Sequence, residues 1–185
     1  MGKNAESQAL REQKAKVHRE WIHEGRYIRL RRDVIEADGH PQKTWELVVH
    51  PGAVAIIPID KEGRIILVEQ WRRAIEKITL ELPAGTLDPG ESSLTCAQRE
   101  LQEETGFKAN TLIPFGGCFS APGISSEYVY LYIGKDLVLS QLVADDTDLI
   151  DVRTLSLEQA SKLIEDGTIT DAKTIVGILR YKEQL

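Results

Sequence analysis

An α/β domain built around a mixed sheet is the fold class this chain predicts, and three observations predict it. The first is a succession of short strand-like runs from residue 28 onward. The second is a small number of helix-like segments placed between or after them, each with start or stop signals. The third is their order, since many strands with a few interspersed helices suit a sheet covered by helices. The 185-residue length fits one domain, or one domain with a substantial extra segment.

Residues 5–24, "AESQALREQKAKVHREWIHE", hold good helix formers and mixed charge with few apolar residues. They are expected to form a solvated or frayed helix. The alternative is a segment that packs on a second subunit through Trp21 and Ile22. After Gly25 the period changes to two. In "YIRLRRDVIEA", Ile28 and Leu30 alternate with Arg29 and Arg31, as in a half-buried strand. "ADGHPQ" is a turn cluster and "TWELVVH" resumes the strand, so a hairpin is expected. "AVAIIPI" and "RIILVEQW" follow as a pair of strands joined by the turn "DKEG". "ITLELP" is a further strand, ended by Pro83 and Gly85. "VYLYIG" is a strand after a long loop at 116–127.

Three helices carry clear signals. One starts near Ser92 or Ser93 and stops at Gly106. A second starts at Ser156, with Gln159 three residues on as a capping box, and stops at Gly167. The last is capped by Asp171 and repeats Ala172, Ile175, Val176 and Leu179 at i, i+3, i+4 and i+7.

Composition excludes several classes. No window is apolar enough to span a bilayer, and the first residues lack the pattern of a secretory signal. Cys96 and Cys118 make no disulfide framework, so a reducing cytoplasm is expected. A net charge of −6 argues against wrapping nucleic-acid backbone. A small anionic substrate stays open, because a metal reverses the field locally.

The chemistry concentrates in "ELPAGTLDPGESSLTCAQRELQEETGF", residues 81–107. On its helix Leu94, Ala97 and Leu101 cluster on one side. Glu100, Glu103 and Glu104 fall within an arc of roughly 100° on the other. Like charges at this spacing cost a few tenths of a kcal/mol per pair. A cation offsets that cost, and clustered carboxylates are hard oxygen ligands for Mg²⁺ or Mn²⁺. The soft sulfur of Cys96 suits such cations poorly and is read as packing.

With fixed spacings the stretch reads Gly85, five residues, Glu91, seven residues, then Arg99-Glu100-Leu101-Gln102-Glu103-Glu104-Thr105-Gly106-Phe107. This resembles the Nudix box, G-x5-E-x7-R-E-U-x-E-E-x-G-U, at every specified position. Seven fixed letters at ordinary usage would match by chance less than about one time in a million. The resemblance implies a Nudix fold, an α/β/α sandwich around the mixed sheet, with the N-terminal helix and β-hairpin as an extension. It implies that Glu100, Glu103 and Glu104, with the Ala84 carbonyl, hold Mg²⁺ (Mn²⁺ is an alternative), that Glu103, Glu104 and Arg99 belong to the catalytic set, and that Gly85, Glu91 and Gly106 support the site. Arg99 can fork onto Glu91 and tie loop to helix.

Segments outside the box resemble the branch that cleaves ADP-ribose and other nucleoside diphosphate sugars: "VEQWRRAIEKITLELPAG", "FSAPGISSEYVY" and "EDGTITDAKTIVGIL". The similarity covers roughly residues 45–180. It implies Glu127 as general base on a loop shaped by Pro122 and Gly123, and Arg72 as a substrate-binding fork. Arg29, Arg31 and Trp45 are further candidates for phosphate or base contacts. It also implies a homodimer, with residues 1–50 as a dimerisation segment and 51–185 as the hydrolase domain. The expected activity is Mg²⁺-dependent hydrolysis of a nucleoside diphosphate sugar, ADP-ribose to AMP and ribose 5-phosphate first, with neither nucleic acid nor membrane as partner. Alternatives are GDP-mannose or another NDP-hexose, a more distant substrate such as a dinucleoside polyphosphate, coenzyme A or capped RNA, and a non-catalytic binding module.

Overall fold

The computed structural model describes residues 2–25, 28–143 and 149–185. Tyr27, where the period-two run begins, lies outside them. The chain forms two compact units, one of residues 1–50 and 121–127, the other of residues 51–120 and 128–185.

In the N-terminal unit, α1 (Lys3–Lys14) buries no residue and is followed by three antiparallel strands. These are β1 (Lys16–Glu24), β2 (Arg29–Glu36) and β3 (Lys43–Val49), in the order β1-β2-β3. The helix expected over 5–24 therefore ends ten residues early, and its second half is a strand. Ala15 is already extended, and β1 pairs with β2 from Lys16↔Glu36 to Glu24↔Arg29. Pairing with β2 overrides the helix-forming composition of this segment, and Val17, Trp21 and Ile22 favour a pleated surface. The hairpin of β2 and β3 forms as its turn cluster predicts. The loop 121–127 is tied to β3. Val48 N–H donates to Ile124 O at 2.8 Å, and Ser126 N–H donates to Val48 O at 3.0 Å.

The larger unit holds β4 (Ala53–Pro58), β5 (Ile65–Arg72), β6 (Lys77–Glu81), β7 (Ala84–Thr86), α2 (Ser93–Thr105), β8 (Phe107–Phe119), β9 (Tyr128–Leu139), β10 (Asp151–Leu155), α3 (Leu157–Glu165) and α4 (Ala172–Glu183). One sheet is mixed, in the order β7-β4-β9-β8, with β4 and β9 parallel and the other pairs antiparallel. A second sheet, β10-β5-β6, is antiparallel. The turn at Asp60–Gly63 does join β4 to β5, but the two meet only through an Ile59↔Ile65 bridge and enter different sheets. The Asp60 carboxylate closes the turn by accepting from the N–H groups of Glu62 and Arg64. β8 runs on to Phe119, so the loop read at 116–127 is shorter than expected. Strand pairing with β9 overrides the turn residues Gly116 and Gly117, which sit at a register shift instead.

β4 explains the layering. It is apolar at nearly every position and buried throughout, which requires cover on both faces. Val54 and Ile56 pack with Cys96, Ala97 and Leu101 of α2. Ala53, Ala55 and Ile57 join a larger cluster with Ile65, Leu67 and Leu131, and with Ala160, Ile178 and Tyr181 of α3 and α4. Alternate residues of one strand thus hold helices on opposite sides. Leu94, expected on the buried side of α2, is 49% exposed. It lies in the first turn, and the buried face is made by Cys96, Ala97, Leu101, Gln102 and Thr105.

Candidate active site

The site of the larger unit begins with two chain reversals that fix the ends of α2. Ser92 caps the start, its hydroxyl accepting from Thr95 N–H at 3.1 Å. Gly106 ends the helix at φ +76°, the left-handed conformation that glycine adopts without a Cβ penalty. Between them the helix brings Arg99, Glu100, Glu103 and Glu104 toward the β7 loop.

Arg99 organises the cluster. Its Nε and Nη2 donate to the two oxygens of Glu91 at 3.0 and 2.9 Å, a fork that ties the loop to the helix. Its Nη1 donates to Glu100 at 2.6 Å and to Glu103 at 3.0 Å. Glu104 turns the other way and accepts from Ala84 N–H at 2.9 Å. Gly85 makes room for this arrangement, because a Cβ there would lie 2.0 Å from the Glu100 carboxylate. Cys96 is buried beside the carbonyls of Gly85 and Thr86 as a packing group, and burial raises its pKa well out of the reactive range. Both cysteines are free thiols.

The electrostatics are lopsided. Three carboxylates, Glu91, Glu100 and Glu103, share the Arg99 guanidinium, and Glu104 accepts from the backbone instead. Glu91, gripped by the fork, is held below the ordinary carboxylate range. Burial pushes Glu100 up to about 7, with Arg99 pulling the other way. Burial likewise pushes Glu104 up to about 8, opposed by the Ala84 N–H. At Glu100 burial outweighs the Arg99 contact, and at Glu104 it outweighs the Ala84 N–H and the more distant Arg72 and Lys173. Oxygen donors short of positive charge fit a hard divalent cation. Among the described residues, no three His, Cys, Asp or Glu side chains are already drawn into a cage. Arg99 occupies Glu100 and Glu103, and Glu104 faces the backbone.

Arg72, at the end of β5, is engaged from within. Its Nε and Nη2 donate to the two oxygens of Glu81 at 2.7 and 2.6 Å. Thr79 and Lys173 donate to the same carboxylate. Burial works against its charge, but Arg72, Lys173 and Thr79 together bring Glu81 down to about 2. Sequence reasoning did not single out Glu81 or Lys173. Their one signal is an acidic residue on the otherwise apolar run "ITLELP".

The remaining candidates belong to the N-terminal unit. Arg29 pairs with Glu24 at 2.7 Å and lies 3.8 Å over the Trp21 ring. Arg31 pairs with the buried Asp33 at 2.7 Å. Trp45 is partly exposed on β3, opposite Asp33. In the 121–127 loop, Glu127 lies 3.7 Å from His50 and donates its N–H to Ser125 Oγ at 3.1 Å.

Fold and site define an α/β protein whose carboxylate-rich loop and helix are assembled around one arginine. The chain belongs to the NUDIX domain family, which matches residues 49–176. It is 35% identical over 173 residues to the methanol dehydrogenase activator of Bacillus methanolicus, covering 91% of this chain and 94% of that one. The ADP-ribose pyrophosphatase of Bacillus subtilis strain 168 is similar to the same degree, 35% over 173 residues with the same coverage. A crystal structure of an ADP compounds hydrolase superposes with a TM-score of 0.82 at 26% identity, covering 93% of this chain and 94% of the other.

Proposed function

We propose that this Nudix hydrolase cleaves the pyrophosphate bond of nucleoside diphosphate sugars, with ADP-ribose, giving AMP and ribose 5-phosphate, as the first substrate to test. The observation that carries the reading is the pair of under-compensated carboxylates, Glu100 and Glu104, beside the Arg99 fork. Similarity to an ADP-ribose pyrophosphatase across most of both chains supports it.

Glu100, Glu103 and Glu104, with the Ala84 carbonyl, would hold Mg²⁺ or Mn²⁺. When bound there, such a cation would neutralise the diphosphate and stabilise charge developing on the phosphorus oxygens. Arg99 keeps Glu91, Glu100 and Glu103 within one network, and Glu100 and Glu103 would exchange its guanidinium for the cation. Gly85 lets the loop backbone approach Glu100 closely. Glu127 takes the proton of the attacking water, its loop position allowing it to act once substrate is bound. Arg72 binds substrate phosphate, while Arg29 and Trp45 contact the phosphate or the base. The protein acts as a homodimer in the cytoplasm, with residues 1–50 as the dimerisation segment and 51–185 as the hydrolase domain. Among the described residues, no helix is long and apolar enough to cross a membrane.

The test is a panel of ADP-ribose, GDP-mannose, other NDP-hexoses and dinucleoside polyphosphates, with Mg²⁺, with Mn²⁺ and with chelator. Metal-dependent release of a nucleoside monophosphate from ADP-ribose is the expected result. Release from none of the panel would overturn the reading. Glu127→Gln should lower kcat about a hundredfold while KM moves less than about threefold. An unchanged kcat would remove Glu127 as the base.

A further inference from the structure

The loop of residues 121–127 leaves β8 after Phe119 and returns to β9 at Tyr128, yet it hydrogen-bonds to β3. Ser125 makes a parallel bridge to Val48, so the loop adds a rung to the edge of the three-stranded sheet. Next along, the His50 N–H donates to Ser126 Oγ at 3.0 Å, and that hydroxyl donates back to the His50 carbonyl at 3.4 Å. Ser125 Oγ accepts from the Glu127 N–H at 3.1 Å. Main-chain atoms of His50 and two serine hydroxyls therefore fix the backbone that carries Glu127.

A fixed backbone still lets the Glu127 carboxylate turn about its own side-chain bonds, and one ring faces it. His50 Nε2 lies 3.7 Å from Glu127 Oε1. The His50 side chain is 11% exposed and that of Glu127 29%, so the carboxylate can still meet water. Among the described residues, Glu127 forms no other ion pair. The separation is just beyond hydrogen-bond distance. Imidazole presents an N–H at Nε2 as the imidazolium and as one neutral tautomer, so a shift of a few tenths of an ångström completes the bond. The main-chain bonds at position 50 are open to any residue but proline, and so they give the imidazole no task.

The restraint differs in kind from the one on Glu91. Glu91 cannot rotate without breaking two charge-assisted bonds to Arg99. Glu127 has a single longer contact, which suits a group that must stay in one neighbourhood and still turn to a water. We propose that His50 is the positioning residue of Glu127, its Nε2 N–H restraining the carboxylate in an orientation ready to take a proton. The kinetic consequence rests on the reading of Glu127 as the base. The restraint itself does not depend on which substrate is cleaved.

A double-mutant cycle of His50 and Glu127 variants, assayed with ADP-ribose and Mg²⁺, tests this. His50→Leu should lower kcat about tenfold with KM within about threefold. His50→Gln sets an amide N–H where Nε2 stood and should keep kcat within about threefold of wild type. In a Glu127→Gln background, His50→Leu should change kcat less than about twofold, because the group it acts through is gone. The same loss in both backgrounds, an equal loss in His50→Gln and His50→Leu, or no loss at all overturns the assignment. Circular dichroism and Tm verify folding. If His50→Leu does not fold, His50→Asn, whose amide ends short of the Nε2 position, takes its place. The contact is also read without turnover, from the ring nitrogens in a proton–nitrogen NMR spectrum of the full-length protein. Glu127→Gln should move the His50 ring resonances and leave those of His18, His23 and His40 in place. If wild type hydrolyses no nucleoside diphosphate sugar, the substrate reading falls and this spectrum decides. Displaced His50 resonances then uphold the restraint, and unmoved ones overturn it.

Discussion

Glu81 and Glu104 are carboxylates of the same unit, both withdrawn from water, yet their surroundings move their pKa values in opposite directions. Glu81 is brought down to about 2 by Arg72, Lys173 and Thr79, which outweigh its burial. Glu104 is pushed up to about 8, with one backbone N–H as its close hydrogen-bond donor. Burial by itself raises both, so the difference lies in the cations the fold supplies. The chain neutralises the first carboxylate with its own side chains. It leaves the second without a side-chain ion pair among the described residues, while Glu100 shares one arginine with two other carboxylates. That contrast separates a cluster the protein completes from one that suits a ligand cation.

The largest expected effect comes from removing the under-compensated charge. Glu104→Gln should lower kcat about a thousandfold or more and weaken Mg²⁺ binding measured by calorimetry. Its Tm in chelator should stay level or rise, because the charged form is the one burial disfavours. Near-normal turnover would break the contrast with Glu81.

A smaller effect is expected from Gly85→Ala. The new Cβ would meet the Glu100 carboxylate at 2.0 Å, and the flexible end of that side chain can swing away. Stability should therefore fall by less than about 1 kcal/mol while kcat drops about tenfold through misplacement of Glu100. Denaturant titration beside steady-state kinetics checks this. A folded variant with full activity would show that the close approach of Gly85 to Glu100 is dispensable.

The smallest effect is on stability against pH, and its sign follows from the shifts. Glu100 and Glu104 stand above their ordinary value near 4.5, at about 7 and about 8. Their contribution is complete below about pH 4.5 and is lost as pH rises through 7 and 8. Glu81 stands below its ordinary value, so its contribution is present above about pH 4.5 and is lost as pH falls toward 2. The Tm in chelator should decline by several degrees or more between pH 5 and pH 8.5, at about 2–4 °C per kcal/mol for a chain of this size. Saturating Mg²⁺ should restore the loss at the alkaline end, since a ligand that binds only the native state stabilises it. A flat profile with chelator would show that the two carboxylates are not short of cations.

The local signals in the sequence fared unevenly, and the reason is local against distant information. Ser92, Ser156 and Asp171 start helices where they were expected, because a cap contacts its own first turn. The hairpin of β2 and β3 is set by its turn cluster in the same way. β1 carries helix-forming residues and no strand period of its own, because its strand character depends on β2, which follows it in the chain. β7, β8 and β10 were not recognised as strands. Three-residue β7 is too short for a period, and the other two are defined by pairing with β9 and β5. Within the site, the spacing of Arg99, Glu100, Glu103 and Glu104 was legible because one helix carries all four. Glu81 and Lys173 lie 92 residues apart, and no single stretch of chain announces their contact.

By itself the sequence determined the family, the helix caps and the acidic face of α2, all of which rest on residues within a few turns of one another. Tertiary structure alone decided that Arg99 would grip three glutamates, that Arg72 would be held by a buried Glu81, and that Glu104 would rest on a backbone N–H instead of a cation. Charge compensation in a folded protein depends on which distant side chains arrive beside a carboxylate and how much water leaves with them. Spacing along the chain carries neither quantity.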